Sequence, residues 1–599
     1  MLEFYYKYSK GYRFLTILTP IFVALESFLE VLIPLFMTDV IDLTNPAVGV
    51  GKSIVSGPMR ELVSFFEGVF PQVDNMYIYV YGITMLILAL LSLTFGVVSG
   101  VTATAASSGF AKNVREGLYH HIQDYSFENI DKFSTSSLIT RLTTDVTNCQ
   151  NAFQMTTRIS VRAPLLFVFS IVMSFIENAE LAVIFLIASP ILLVLLLIVM
   201  MNAHPYFQKM FKKYDDLNLV VQENIVGMRT VKAYTNEEVE IEKMDVASTN
   251  LTNNALSAEK IVVWNSPIMQ FIMNACTIII VFMGTKLIVN EVSTASTLFL
   301  FITYSTQILS SLMMISMVFL MLTMSKASTD RILEALNEEP SIKNPENPIF
   351  EVKDGSVEFK NAKFSYLNDL DKLAIKNADF KIESGSTIGV FGGTGSGKSS
   401  LLSLIPRLYD VTQGEVLIGG VNVKDYDLVT LRDAVSMVLQ KNVLFSGTIK
   451  DNLRWGNNEA TDEEMIKACE LAQAHDFISK LEDGYDSKVE QGGANFSGGQ
   501  KQRLCIARAL LKKPKILILD DSTSACDTKT DALIRQAFKD ELPETTKFII
   551  SQRISSIQDS DLIIFIQDGV IENVLPHEEM LKENETYRNI YDVQVKGGK

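Results

Sequence analysis

The chain contains few of the residues from which metal centres, disulfide frameworks and nucleic-acid surfaces are built. Its 599 residues include 5 histidines and 5 cysteines, and the cysteines are too scattered to form a metal, redox or disulfide motif. The formal net charge is −16, so no basic surface is expected and nucleic acid is excluded as a partner. No cleavable signal peptide is expected, because the aromatic and basic stretch 1–13 leads directly into an apolar segment.

Long apolar runs dominate the first half of the chain. Hydrophobic residues make up 48% of the sequence and are concentrated in roughly the first 325 positions. A membrane-spanning helix needs about 20 mainly apolar residues. Six segments meet that requirement: 14–42, 76–105, 158–178, 180–203, 266–290 and 296–324. The distribution predicts a membrane α-helical bundle in the lipid bilayer over 1–325, a linker over 326–350 and an α/β domain over 351–599.

Basic residues indicate how the bundle is oriented. Lysines and arginines precede the first span and follow the second and fourth, whereas the short loop after the third span carries Glu177 and Glu180. Positive loops stay on the cytoplasmic side, so both termini are predicted to be cytoplasmic. The opposite loop, about 43–75, is long, and its amphipathic stretch Met59–Phe70 predicts a small external helix or cap.

Two long cytoplasmic loops, about 106–157 and 204–265, are predicted to be helical arms that carry spans two to five beyond the bilayer. Their tips are expected near Phe127–Ser137 and Gln222–Lys232, where force from the second half of the chain would enter. An independent cytoplasmic subdomain is the alternative interpretation of these loops.

A glycine-rich motif marks a phosphate site in the second half. It follows the apolar strand Thr387–Phe391 and begins a predicted helix at Ser400. Glycines allow backbone N–H groups to surround phosphates, Lys398 reaches the outer phosphates and Ser399 ligates Mg²⁺. The predicted ATP-binding residues are Gly392, Gly393, Thr394, Gly395, Ser396, Gly397, Lys398, Ser399 and Ser400.

A carboxylate for the same metal ion lies further along. The apolar run 515–519 ends in Asp520, the arrangement of a strand that holds Mg²⁺. Buried strands that end in aspartate are common, so this pattern is weak alone and convincing only after the preceding phosphate loop. P-loop nucleotide binding in an α/β domain is therefore predicted, with ATP and Mg²⁺ as ligands.

The segment Phe496–Gln500 resembles the signature sequence of ATP-binding cassette (ABC) transporters. The resemblance extends over essentially the whole chain, and the six-span half with long arms is similar to the type I exporter (type IV) half-transporter. It implies further nucleotide-site roles: adenine stacking by Tyr366, a Q-loop role in hydrolysis and Mg²⁺ binding for Gln440, phosphate contacts from Ser497, Gly498, Gly499 and Gln500, and a D-loop role for Asp527.

The family also implies a dimer. Two cassettes associate head to tail, and each ATP lies between the P-loop of one chain and the signature of the other. The signature serine and glycines present N–H donors and a helix N-terminus to the terminal phosphate. Half a site does not function alone, so a second half-transporter is an expected partner.

Two positions depart from the family pattern. Asp521 stands where a glutamate normally activates water, and Gln552 stands where a switch histidine normally precedes arginine. Together they predict that this site binds ATP but hydrolyses it slowly, as in the degenerate-site subunit of a bacterial heterodimeric multidrug exporter in the cell membrane. The expected partner is a non-identical subunit with an intact glutamate and histidine. An active homodimer and an ATP-sensing regulatory subunit are the alternatives.

Candidate substrate contacts lie inside the spans. Glu26 and Glu30, one helical turn apart in span one, predict attraction of cationic or amphipathic substrates, or else an interhelical hydrogen bond or water-lined wall. Span six contains several methionines, including Met313 and Met317, which suit either an adaptable ligand surface or the core. The predicted cargo is an amphipathic small molecule or peptide (drug, lipid or peptide).

Overall fold

The structure, a computed structural model, describes residues 2–44, 55–70, 75–290, 292–522 and 526–596. The chain divides into two compact units. The helical unit comprises Met1–Gln123 and Thr135–Glu338, and the α/β unit comprises Asp124–Ser134 and Glu339–Lys599. Part of the long external loop expected at 43–75 lies outside the described residues.

Among the described residues, eleven α-helices precede the first strand. They are α1 (Leu2–Tyr8), α2 (Arg13–Thr44), α3 (Ser56–Val69), α4 (Met76–Gln123), α5 (Phe127–Lys132), α6 (Thr135–Thr140), α7 (Val146–Glu177), α8 (Ala179–Tyr234), α9 (Glu237–Val262), α10 (Asn265–Val289) and α11 (Ala295–Asn337). Within the described ranges, six helical segments are long and apolar enough to cross a membrane, which confirms the predicted bundle. The helix expected inside Met59–Phe70 is α3.

Several spans continue far beyond their apolar segments. Helix α8 has 56 residues, which corresponds to about 80 Å. The second tip, expected near Gln222–Lys232, lies slightly further along: those residues are inside α8, and the chain turns at Thr235 and Asn236. Thr235 has the left-handed φ of 52°. The helix runs through Gly227 because one mid-helix glycine costs only about 1 kcal/mol.

The tip of the first arm lies in the α/β unit. The α5 residue Asn129 donates from Nδ2 to the carbonyl of Glu339 at 3.0 Å, and the Tyr409 hydroxyl donates to Asp131 at 2.5 Å. The ring of Phe127 packs against that of Tyr409, with centroids 6.0 Å apart. This short helix is therefore fixed to the α/β unit by both polar and aromatic contacts.

The α/β unit contains one large sheet and one separate pair of short strands. Its strands are β1 (Val357–Phe364), β2 (Ile375–Ile382), β3 (Thr387–Gly392), β4 (Gln413–Ile418), β5 (Val421–Asn422), β6 (Val435–Val438), β7 (Gly447–Thr448), β8 (Lys488–Val489), β9 (Ile516–Asp520), β10 (Thr546–Ile550), β11 (Leu562–Gln567) and β12 (Val570–Leu575). The strand order is β5-β4-β1-β2-β12-β11-β3-β10-β9-β6, and β7 pairs separately with β8. The stretch from β11 to β6 is parallel throughout.

In the described part of this unit, nine α-helices surround the sheet. They are α12 (Lys398–Ser403), α13 (Leu428–Ala434), α14 (Ile449–Arg454), α15 (Asp462–Leu471), α16 (His475–Ile478), α17 (Gly498–Leu511), α18 (Thr528–Glu541), α19 (His577–Glu583) and α20 (Glu585–Lys596). Strand β9 shows why both faces need cover: Ile516 and Ile518 pack into one apolar cluster, and Leu517 and Leu519 pack into another. Side chains alternate between the faces of a strand, so apolar residues at all four positions require a core on each side.

Candidate functional site

The candidate nucleotide site lies at the carboxyl ends of four adjacent parallel strands. Strand β10 runs between β3 and β9, with Ile550 paired to both Val390 and Asp520, and β6 lies beside β9. Gly392 ends β3 and Asp520 ends β9. The topology therefore brings the predicted glycine loop, the predicted metal carboxylate and the positions of Gln440 and Gln552 to one edge of the sheet.

The glycine loop is closed by Lys398. Its ammonium group donates to the carbonyls of Gly392 at 3.0 Å and Gly393 at 2.7 Å. Burial lowers the pKa of Lys398, and the nearby carboxylates of Asp520 and Asp521 oppose that effect. The buried hydroxyl of Ser396 has no hydrogen-bond partner among the described residues, and Gly393, Thr394 and Gly395 form the exposed rim of the loop. These groups fit a phosphate ligand.

Gly397 is one of the glycines that the loop geometry requires. It has the left-handed φ of 102° and stands immediately before α12. A Cβ atom added there would lie 2.8 Å from the carbonyl oxygen of Ala374. Gly393, by contrast, has no heavy atom within 4 Å of the position of an added Cβ.

Ser399 and Asp520 bring two oxygen ligands together. The serine hydroxyl donates to the carboxylate at 2.9 Å, and burial raises the pKa of Asp520 against the opposing effects of this hydrogen bond and Lys398. No group of three or more histidine, cysteine or acidic side chains suited to a metal occurs among the described residues. The hydroxyl of Ser399 and the carboxylate of Asp520 fit a Mg²⁺ ion that is also held by nucleotide phosphates, whose charge the ion would neutralise.

Asp521 lies beside this pair in a left-handed backbone conformation, with φ of 49°. Burial, and then the charge of Asp520, raise the pKa of Asp521, whereas Lys398 and Arg553 lower it. The side chain is half-buried. Asp520 ends β9 and Asp521 follows it directly, so the candidate site contains two consecutive carboxylates, of which Asp521 is the second.

The two glutamine positions follow neighbouring strands. Gln440 follows β6 and is exposed, and its carbonyl accepts from Asn442 at 3.5 Å. Gln552 follows β10 and is exposed, and its carbonyl accepts from Gln594 at 3.0 Å. Neither side chain carries a charge, so neither position supplies a cation to the site.

Tyr366 presents a half-exposed ring beside the start of α12. Its hydroxyl lies 2.8 Å from the Ser400 hydroxyl, and its edge packs against Phe364 and Tyr409. These contacts fix the ring while leaving 46% of the residue exposed, which suits stacking on a nucleobase.

The signature segment has its own cap. Ser497 is the N-cap of α17: its hydroxyl accepts from the Gln500 N–H at 3.3 Å, and its N–H donates to the Gln500 side chain at 2.8 Å. Ser497 and Gly498 are exposed and Gly499 partly so. A 14-residue helix thus directs its N-terminus outward, where it favours an anion. Asp527 caps α18 by accepting from Thr530, and these bonds lower its pKa.

A charged cluster inside the helical unit contains two arginines that sequence reasoning missed. Arg162 of α7 donates to Glu26 at 2.6 Å and to Glu30 at 2.8 Å, both on α2. The Ser99 hydroxyl also donates to Glu26, at 3.3 Å. The sequence did contain a signal for this pairing, because an arginine within a predicted span is energetically costly unless it is paired with an acidic group.

The glycines of α4 make room for these charges. An added Cβ at Gly96 would lie 3.1 Å from the Glu26 carboxylate, and one at Gly100 would lie 3.4 Å from the Arg158 guanidinium. Arg158 also donates to the Gly96 carbonyl at 3.3 Å. Both glycines therefore face charged side chains of neighbouring helices, Glu26 on α2 and Arg158 on α7.

The methionines of span six are divided between two environments. Met313 and Met317 are 39% and 55% exposed, whereas Met314 packs against the apolar cluster of the bundle. The exposed pair can therefore contact a ligand or another helix.

Comparisons with known proteins agree with this architecture. Residues 16–312 match the family described as ABC transporter transmembrane region, and residues 375–524 match the family described as ABC transporter. The chain is 37% identical over 528 residues to the uncharacterized ABC transporter ATP-binding protein YfiB of Bacillus subtilis, covering 88% of this chain and 91% of that protein. Identity to the uncharacterized ABC transporter ATP-binding protein Rv1273c of Mycobacterium tuberculosis is 35%, covering 80% and 83%.

A solved structure shares the fold. The structure of a bacterial Atm1-family ABC exporter with ATP bound superposes with a TM-score of 0.80, covering 98% of both chains at 22% identity. The protein is thus a multi-pass membrane protein with an ABC-type ATPase domain. It belongs to the ABC transporter family.

The geometry of the glycine loop predicts different effects for two identical substitutions. Gly397→Ala should weaken ATP binding at least about tenfold, because the Cβ approaches a backbone carbonyl in a conformation that alanine rarely adopts. Gly227→Ala is the control, because beyond its own helix no heavy atom of the described residues lies within 4 Å of an added Cβ, and it should bind ATP as the unaltered chain does. Equilibrium binding of a fluorescent ATP analogue to the full chain measures both; equal affinities would contradict the predicted difference.

The charged cluster predicts that removal of Arg162 destabilises the protein and that neutralising its two carboxylate partners restores the stability. Arg162→Met leaves two carboxylates without their cation and should reduce stability by about 3 kcal/mol. Adding Glu26→Gln and Glu30→Gln should restore most of it, and Lys286→Met, which removes an exposed cation, should change stability by less than about 0.5 kcal/mol. Thermal unfolding in detergent tests this. A triple variant no more stable than the single one would refute the compensation.

Proposed function

We propose that this chain is one subunit of a heterodimeric ATP-driven exporter in the cell membrane. Its own P-loop site binds ATP and hydrolyses it slowly, while its signature segment completes a competent site on a non-identical partner. The observation that carries the proposal is the combination of an intact phosphate loop and metal pair with Asp521 and Gln552 at the two hydrolytic positions.

We expect the chain to bind ATP because hydrogen bonds hold the side chains of the phosphate loop and the metal pair in place. Lys398 is held at the loop carbonyls, and Ser399 is hydrogen-bonded to Asp520. These groups contact the phosphates and Mg²⁺, and Tyr366 offers a ring for the base. None of them depends on Asp521 or Gln552.

Slow hydrolysis follows from the other two positions. Aspartate is one methylene shorter than glutamate, and a misplacement of about 1 Å can cost about 100-fold in rate. Glutamine keeps a hydrogen bond to phosphate but neither carries a proton nor develops a positive charge. Both changes weaken activation of the attacking water while leaving the ground-state complex intact.

A dimeric partner is supported by surfaces that the chain leaves open. The signature helix α17 directs exposed N–H groups away from its own unit, and the arm formed by α8 and α9 exposes apolar side chains. Ile225 is 66% exposed, Val226 81% and Tyr234 73%. A second half-transporter would cover such residues, because large apolar patches on the cytoplasmic side of a membrane protein favour association.

The cargo we propose is an amphipathic small molecule or peptide, moved outward from a cytoplasmic side that holds both termini. Glu26 and Glu30 are paired with Arg162, so they attract a cation less strongly than two free carboxylates would. The apolar character of the substrate therefore carries more of the recognition, through exposed side chains such as Met313 and Met317.

The proposal predicts a gain of activity on repair of the site. The full chain alone in lipid should be almost inactive as an ATPase, and Asp521→Glu/Gln552→His should raise turnover by about 100-fold or more, since it restores both the reach of the carboxylate and a titratable group. The added substitution Asp520→Asn should abolish that gain. Vigorous hydrolysis by the unaltered chain would favour an active homodimer; a repaired chain that stays inactive would favour an ATP-sensing subunit.

A further inference from the structure

The backbone of the segment that follows β10 is held by a side chain from the C-terminal helix. We call residues 551–556 the switch segment. Gln594 of α20 donates from Nε2 to the Gln552 carbonyl at 3.0 Å and accepts at Oε1 from the Ile554 N–H at 2.9 Å. One primary amide thus satisfies an acceptor and a donor at once, for which a glutamine side chain is chemically matched.

These two hydrogen bonds enclose Arg553. They fix the peptide groups on both sides of it, and its own N–H donates to the Ser551 hydroxyl at 3.0 Å. The charge of Arg553 reaches Asp521, whose pKa it lowers. A shift of the switch segment would therefore change both the position of the Gln552 side chain and the electrostatics at the second carboxylate.

The far end of the switch segment is tethered independently. The Ser556 hydroxyl donates to Asp531 at 2.9 Å, and Arg535 also donates to that carboxylate at 3.3 Å. Asp531 lies one turn into α18, the helix that Asp527 caps. The segment is consequently fixed by α18 at one end and by α20 at the other.

Helix α20 does not depend on Gln594 for its own attachment. Tyr587 is fully buried, and its ring centroid lies 5.6 Å from that of Phe391, the residue before the glycine loop. The Tyr587 hydroxyl lies 2.8 Å from Nδ1 of His577. Removal of the Gln594 side chain should therefore release the switch segment without detaching the helix.

We propose that Gln594 is a positioning residue for the nucleotide site: through the backbone on either side of Arg553, it holds Gln552 where that side chain meets the terminal phosphate of ATP bound to the same chain. The inference uses the proposed ATP site but not the proposed heterodimer or slow hydrolysis. It gives α20 a role in reading the terminal phosphate.

Hydrogen exchange of the full chain in lipid nanodiscs tests this, with Mg²⁺ and either ADP or a non-hydrolysable ATP analogue. In the unaltered chain, the switch segment should exchange more slowly with the ATP analogue than with ADP. Gln594→Ala should speed exchange at Ile554 about tenfold and abolish the difference between the nucleotides. The affinity for ADP should not change, since the P-loop is untouched and ADP lacks the terminal phosphate.

Two further variants define the mechanism. Gln594→Glu keeps the acceptor for Ile554 but loses the donor to Gln552, so it should lose the nucleotide difference while keeping part of the protection. Val593→Ala is the matched control: Val593 precedes Gln594 on α20, is 70% exposed, and its truncation should change nothing.

Three results would overturn the proposal. Unchanged exchange in Gln594→Ala would mean that the hydrogen bonds do not hold the segment. Faster exchange with the nucleotide difference preserved would mean that Gln594 holds the segment but does not position it for the terminal phosphate. Equal exchange with both nucleotides in the unaltered chain would mean that the segment does not read the terminal phosphate. None of these measurements involves hydrolysis, so they stand or fall separately from the proposed slow site.

Discussion

The hydrogen bond from Ser399 to Asp520 connects the carboxyl ends of β3 and β9, two strands that are not neighbours in the sheet. Ser399 lies in the helix after β3, Asp520 ends β9, and β10 runs between them. The bond is possible because all three strands are parallel and their carboxyl ends meet at one edge, where open α/β sheets bind ligands. The phosphate loop, the metal pair and both hydrolytic positions depend on this alignment.

Two kinds of constraint separate binding from hydrolysis at this edge. Two of the proposed binding groups, Lys398 and Asp520, are buried and hydrogen-bonded, so their positions are set before a ligand arrives. The hydrolytic positions instead depend on side-chain reach and on the backbone of the switch segment. A chain can therefore keep its affinity for ATP while losing turnover by changes at Asp521 and Gln552 alone.

Local patterns made the elements that carry the candidate nucleotide residues predictable, whereas contacts between distant segments were not predictable. The glycine loop, the Asp520 strand and the six apolar spans each lie within one short stretch of sequence, and the fold confirms them as elements. The pairing of Arg162 with Glu26 joins residues 136 positions apart, and that of Gln594 with Ile554 joins residues 40 apart, so both require the folded packing. The exact position of the turn at Thr235 was not predicted, because no glycine or proline marks it in the sequence.

The chemical state of the nucleotide that the chain retains is the most direct test of the central claim, that its own site binds ATP and hydrolyses it slowly. The full chain in lipid would be incubated with Mg²⁺ and labelled ATP, freed of excess ligand and quenched, with Asp521→Glu/Gln552→His as the comparison. The account predicts that the unaltered chain retains ATP and the repaired chain ADP. Retention of ADP by the unaltered chain would contradict it.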